Sequence, residues 1–211
     1  MKNLSARARK HLIGIDEAGR GPLAGPVSLG VFAVSSRAIL KKFAGVKDSK
    51  QLSAKQRDEW FARIKLAANK GEVLYSVSLV QAWMIDSRGL SWAIRTALGR
   101  CLKKLEAKHG LFPNRSKVLL DGSLYAPLRY ADQTTIIDGD AKEPIIALAS
   151  ICAKVLRDRR MERLAREYPH HGFEIHKGYG TKAHYAAMRK HGLTPEHRRS
   201  FLKGFEARTH K

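Results

Sequence analysis

Gly14-Ile15-Asp16-Glu17-Ala18-Gly19-Arg20-Gly21-Pro22 is the stretch that decides how this chain folds. It sets two adjacent carboxylates at the end of an apolar run and then an arginine between two glycines. In open α/β folds ligands bind outside the carboxyl ends of the strands, so this pattern places charge at the mouth of a sheet. The rest of the chain makes those acids stand out. Lys and Arg number 40 against 19 Asp and Glu, a formal net charge of +21. Such a field attracts polyanions, of which nucleic acid is the commonest large one. Charge alone fits a ribosome-like structural role equally well; it is the acids that ask for chemistry.

Working outward, His11 to Ile15 and Pro26 to Val34 read as two strands flanking the glycine-bearing segment. Ser53 and Gln56 form a capping box for a helix that ends near Gly71. Glu72 to Val80 reads as a strand, and Ala82 to His109 as helical, with Gly89 a point of interruption and Gly110 a C-terminal cap. Lys117 to Asp121 is a short buried-type strand that again ends in a carboxylate and a glycine. Thr134 to Ile137 is a further strand, Asp138-Gly139-Asp140 a turn, and Pro144 the first residue of a long helix reaching about Tyr168. Thr181 opens a short helix and Thr194-Pro195 a last one.

Strands alternating with helices, without repeats, argue for an α/β layer fold, a mixed sheet flanked by helices. At 211 residues, 44% of them hydrophobic, the chain buries one substantial core. The expected organisation is a catalytic core over residues 1–168 and a basic, aromatic extension over 169–211, packed as one unit. Cys101 and Cys152 fall inside apolar helical patterns and read as buried free thiols, which suits a reducing cytoplasm. The N-terminus is basic but carries no apolar leader segment. No apolar run is long enough to cross a membrane, so a soluble cytoplasmic protein is expected.

Asp16, Glu17, Asp121 and Asp158 come from three distant segments that such a fold can gather from two strand ends and one helix face. Asp158 follows Ser150 and Lys154 at four-residue steps, so the three share a helix face. Clustered carboxylates repel at neutral pH and are tolerable when cations sit among them, and hard oxygen ligands select Mg²⁺ or Mn²⁺. Two such ions suit phosphodiester hydrolysis without a side-chain nucleophile. One obstacle is that Asp16 and Glu17, as neighbours on a strand, face opposite sides; a strand break at Glu17 would let that residue bend back.

The segment Asp16-Glu17-Ala18-Gly19-Arg20-Gly21-Pro22-Leu23-Ala24-Gly25-Pro26-Val27 resembles the signature of the type 2 ribonucleases H, in particular the bacterial ribonucleases HII. The resemblance continues in order through Asp48-Ser49-Lys50-Gln51-Leu52, Leu120-Asp121-Gly122, Ala149 to Asp158, His176 to Thr181, and His197-Arg198-Arg199-Ser200-Phe201. It departs at Arg88-Gly89, after Asp86-Ser87, where the family commonly has Asn-Ile.

By that resemblance the fold is ribonuclease H-like, a central mixed sheet flanked by helices with a small helical C-terminal extension. Asp16, Glu17, Asp121 and Asp158 are the implied metal ligands and catalytic acids for two Mg²⁺ or Mn²⁺ ions. The implied substrates are RNA/DNA hybrids and duplex DNA containing a single ribonucleotide, cut on its 5′ side. Gly19-Arg20-Gly21 is implied in sensing the ribose 2′-hydroxyl, and Tyr179 in stacking beside the ribonucleotide's neighbour. Lys47, Ser49, Lys50, Lys142, Ser150, Lys154, Lys177, Thr181 and Arg198 are candidate phosphate or site-shaping contacts, of which Lys50, Lys154 and Lys177, inside the matched motifs, are the expected phosphate contacts. The late histidines, His170, His171 and His176, lack a regular ligand spacing and are expected at the surface or on phosphate. A monomer is expected, with no sliding-clamp peptide evident. Two other readings share the basic surface: a structure-selective DNA resolvase, indifferent to a 2′-hydroxyl, and a noncatalytic binding protein, indifferent to Mg²⁺.

Overall fold

The computed structural model describes residues 10–205; the basic N-terminus and residues 206–211, the end of the expected extension, lie outside them. Strands β1 (His11–Ala18) and β2 (Val27–Val34) form an antiparallel pair on either side of the glycine-bearing loop. β2 pairs antiparallel with β3 (Val73–Val80). On the other side β1 runs parallel to β4 (Ser116–Asp121), and β4 parallel to β5 (Gln133–Ile136). The mixed sheet therefore has the order β3-β2-β1-β4-β5.

Helix α1 (Ala54–Asn69) starts at the expected capping box, Ser53 accepting from the Gln56 amide and the Gln56 side chain from the Ser53 amide, a cap worth about 1 kcal/mol. The helical stretch after β3 is two helices, α2 (Ala82–Arg88) and α3 (Leu90–His109), broken at Gly89, whose φ of 83° a helix does not allow. Asp138-Gly139-Asp140 is not a plain turn: Asp138 precedes a one-turn helix, α4 (Gly139–Lys142). Helix α5 (Pro144–Glu167) follows with Pro144 in its first turn, then α6 (Phe173–His176) and α7 (Lys182–His191). No helix starts at Thr194-Pro195. Those residues turn instead, His197 bridges to Ala24, and one 3₁₀ turn covers Arg199–Phe201. Asp86 holds that turn, accepting from the amides of Arg199 (2.8 Å) and Ser200 (3.0 Å) and from the Ser200 hydroxyl (2.6 Å).

The alternation of the strands sorts the core onto two faces. Ile13, Ile15, Leu29, Val31, Val118 and Leu120 pack against Ala97, Leu98, Cys101 and Leu102 of α3. Phe32, Val34 and Leu119 pack against α1 and the Ile145–Cys152 segment of α5. Helix α5 crosses β1 and β2 so closely that a Cβ on Gly30 would lie 2.2 Å from the Ala149 carbonyl oxygen. That approach sets Ser150, the first residue of the polar row of α5, beside Asp16 near the end of β1. Both cysteines are buried free thiols. Among the described residues no helix is long and apolar enough to cross a membrane.

Candidate active site

Parallel pairing of β1 with β4 puts Ile15 opposite Leu120, so the next residues, Asp16 and Asp121, leave the sheet side by side. Both lie on the face covered by α5, in phase with Gly14 and Leu119. Asp16 is 3% exposed. Burial, then the neighbouring Glu17 and Asp121 carboxylates, push its pKa well above the ordinary range, while a hydrogen bond from Ser150 pulls it back. The Ser150 hydroxyl also meets that of Ser49 at 2.8 Å, joining α5 to the Asp48–Leu52 loop.

Glu17 remains within β1, which pairs through Ala18 with Ser28; the strand does not break at Glu17. Its side chain is therefore on the opposite face, at the very edge of the sheet. Burial raises its pKa, the Arg20 guanidinium at 3.1 Å lowers it, and Asp121 raises it again. Its Oε2 is buried without a hydrogen-bond partner.

Asp121 Oδ1 accepts from the amides of Gly139 at 2.7 Å and Asp140 at 3.4 Å, at the start of α4. Asp140, itself buried, thereby joins the acids, and Lys50 reaches it with Nζ at 2.9 Å. The Lys50 ammonium is held in its charged form first by Asp140, with Asp48 and Asp16 adding to it. Asp140, Asp48, Asp16 and Glu17 thus all act on one lysine, with Asp121 joined to them through Asp16, Glu17 and the Asp140 amide.

Asp158 does not join them. It lies two turns past Ser150 on α5, about 12 Å along the helix, and is neutralised by Lys154 at 2.8 Å and Arg57 at 3.7 Å. The other expected lysines are paired too, Lys50 with Asp140 and Lys177 with Glu162 at 2.8 Å.

On the far side of the acids, Gly19 has φ of 92° and lies against Arg157, whose Nε would be 2.0 Å from a Cβ there. Arg20 is exposed over Glu17, and Gly21 has open space around its Cα. Tyr179 is 42% exposed, with the cationic groups of Arg157 and Lys154 about 6 Å from its ring, at 5.9 and 6.0 Å. Thr181 caps α7 by accepting from the His184 amide. The surface role expected of the histidines does not hold for His171 and His176, which are buried with His184 and His197 around Phe173. A run that reads as basic and polar is here an aromatic core, because neutral imidazoles stack like other rings.

Residues 13–204 match the family described as Ribonuclease HII. Ribonuclease HII of Geobacillus kaustophilus (strain HTA426) is 42% identical over 95% of this chain and 71% of its own length. The chain belongs to the ribonuclease HII family. The crystal structure of ribonuclease H2 from Pyrococcus horikoshii OT3 superposes with a TM-score of 0.70 at 28% identity, over 95% of this chain and 99% of that one. The RNase HII from Archaeoglobus fulgidus, solved as a complex with PCNA, does so with a TM-score of 0.67 at 25% identity, over 95% and 97%.

Ribonucleases HII are metal-dependent endoribonucleases, and the donor set suits a hard divalent cation. Buried carboxylates that resist ionisation, an unpartnered Glu17 Oε2 and an ammonium drawn in among them all mark a place short of positive charge. Among the described residues no three acid, imidazole or thiol side chains close into an ion cage as they stand. Lys50 ties back Asp140, and Arg20 ties back Glu17. Sequence reasoning missed Asp140, since Asp138-Gly139-Asp140 looks like turn chemistry. The available signal was one more acid just before a proline-started helix in a strongly basic chain.

Proposed function

We propose that this chain hydrolyses the RNA strand of RNA/DNA hybrids and incises duplex DNA on the 5′ side of a single embedded ribonucleotide. Water adds to phosphorus, the P–O3′ bond breaks, and the leaving oxygen takes a proton, giving 3′-hydroxyl and 5′-phosphate ends. The observation that carries this reading is that Asp16 and Asp121 follow the last pair of the parallel β1–β4 ladder side by side, close to Gly19-Arg20-Gly21.

Asp16, Glu17, Asp121 and Asp140 are the proposed ligands of two divalent ions, Mg²⁺ or Mn²⁺. Asp140 takes the place the resemblance assigned to Asp158, because the start of α4 sets it against Asp121 at the strand ends, whereas Asp158 lies about 12 Å past Ser150 along α5. When bound, the ions supply an activated water and charge stabilisation at the leaving oxygen. The protein's own part is placement. The Gly139 and Asp140 amides orient Asp121, and the Ser49–Ser150 pair orients Asp16. Lys50 and Arg20, released from their carboxylates, are free to take phosphate oxygens.

Gly19 and Gly21 let the backbone approach the sugar, where a 2′-hydroxyl, both donor and acceptor, separates RNA from DNA. Tyr179 offers an exposed ring for stacking on the neighbouring base or sugar, Lys154 lies beside it for phosphate, and Lys177, two residues earlier in the chain, is a further phosphate contact. Residues 169–205 form the substrate-contacting extension of the core, in a monomer acting in a reducing cytoplasm. The test is an end-labelled duplex with one ribonucleotide, with and without Mg²⁺, beside an all-DNA duplex. Metal-dependent incision 5′ of the ribonucleotide and no cut in the control is expected. Cutting of both duplexes would favour a resolvase, and binding without cutting a noncatalytic protein.

A further inference from the structure

Two arginines lie beneath the Gly19–Gly21 loop, Arg157 from α5 and Arg198 from the C-terminal segment, each 0% exposed. Neither has a carboxylate within ion-pair distance among the described residues. Arg198 donates from Nε to the Gly25 carbonyl at 3.0 Å, from Nη1 to Arg20 at 2.9 Å and from Nη2 to Gly19 at 2.8 Å. Arg157 donates from Nε to the Pro26 carbonyl at 2.9 Å, from Nη1 to Lys177 at 3.0 Å and from Nη2 to Ala24 at 3.3 Å. The Arg198 amide takes the Leu23 carbonyl at 2.7 Å. The loop's carbonyls are thus drawn inward from Gly19 to Pro26, while the amides of Gly19, Arg20 and Gly21 find no acceptor among the described residues.

Buried cations are an expensive way to hold a loop, since apolar packing of similar volume is often as stable or more so. Here the two guanidiniums also repel each other, and Asp86 and Asp158 act on them only from a distance. What the forks supply and apolar packing cannot is direction: a carbonyl bound from inside turns its peptide's partner group outward, and the buried charge adds positive potential under it.

We infer that Arg157 and Arg198 are positioning residues for ribose recognition: Arg198 turns the Gly19 and Arg20 carbonyls inward so that the Arg20 and Gly21 amides are the donors offered to the substrate, and Arg157 holds the Ala24–Pro26 end of the loop beneath them. This rests on the proposed reading of Gly19-Arg20-Gly21 as the ribose sensor. Arg198→Lys keeps the charge but loses the fork that spans three carbonyls. The expected result is a folded protein by circular dichroism with wild-type Mn²⁺ affinity. Its KM for the single-ribonucleotide duplex rises about tenfold or more while kcat stays within about threefold, because charge-assisted bonds orienting the loop are lost. Binding of the all-DNA duplex stays unchanged, so the preference for ribose shrinks.

A folded Arg198→Lys protein with the wild-type preference overturns the inference. If that variant does not fold, the wild type decides. With Ca²⁺ in place of a catalytic ion, the amide resonances of Arg20 and Gly21 should move downfield with the ribonucleotide duplex and not with the all-DNA one. Resonances that respond alike to both overturn the inference even where the wild type cuts only the ribonucleotide duplex. A wild type that binds and cuts both duplexes alike overturns the ribose reading itself, and this inference with it.

Discussion

At the ends of β1 and β4, Asp16, Glu17, Asp121 and Asp140 lie close together with Lys50 drawn toward them, whereas the C-terminal extension and the part of α5 it covers bury two guanidiniums and four imidazoles with hardly an acid among them. The first region is left short of a partner: a carboxylate oxygen is orphaned, and burial keeps two of the acids reluctant to ionise. The second is met mostly from within, its arginines by backbone carbonyls and its histidines by one another and by Phe173. Each keeps an orphaned atom, Glu17 Oε2 in the first and His171 Nδ1 in the second, but only the first holds it among buried acids. On the proposed reading, the contrast separates a region that binds and reacts from one that holds the ribose-sensing loop in shape.

The largest effect expected from that division is Asp121→Asn. It should lower kcat by about a thousandfold with the affinity for the duplex nearly unchanged, read in single-turnover cleavage and filter binding. A large loss of duplex affinity instead would mean that the acid region also carries substrate binding. Tyr179→Ala touches the other region and should raise KM about tenfold, the worth of one stacked base, with kcat nearly preserved.

The histidines sharpen the comparison through pH. An unfolded imidazole takes its proton near pH 6.5. In the folded protein burial pushes His184 down to about 4 and His197 down to about 3. The unfolded chain therefore binds more protons across that interval, and stability is lost as pH falls from about 6.5 toward 4. The Tm should drop steadily over that range and level off above it; a flat profile would mean that these imidazoles are not buried neutral. Smallest of all, Lys177→Ala removes an ion pair with the exposed Glu162. Its stability cost is expected below about 1 kcal/mol, with KM rising two- to threefold as one phosphate contact goes.

Much of the acid region was legible because its signal is local: an apolar run, an acid, a glycine, twice over, in strands that the fold makes parallel neighbours. Asp140 was hidden by its own neighbours, since Asp-Gly-Asp is what a turn looks like, and only the start of α4 against Asp121 gives it a place. Asp158 was chosen from a real feature, the row of Ser150, Lys154 and Asp158, but helical spacing puts residues on one face without limiting how far apart they lie. Ser150 reaches Asp16, and Asp158 is carried past it to Arg57. The extension was the least legible part. Arginine and histidine read as surface in a chain with 40 basic residues, and nothing in the pattern shows that Arg157 meets carbonyls from both the reading loop and Lys177.

The most direct measurement compares Asp140→Asn with Asp158→Asn by calorimetric titration with Mn²⁺ and by incision of the single-ribonucleotide duplex. If the cation site lies at the strand ends, Asp140→Asn weakens Mn²⁺ binding and cuts kcat by about a hundredfold, while Asp158→Asn leaves Mn²⁺ affinity at the wild-type value and changes kcat by less than about tenfold. The reverse pattern, with Asp158→Asn losing the metal and Asp140→Asn keeping it, would contradict the assignment.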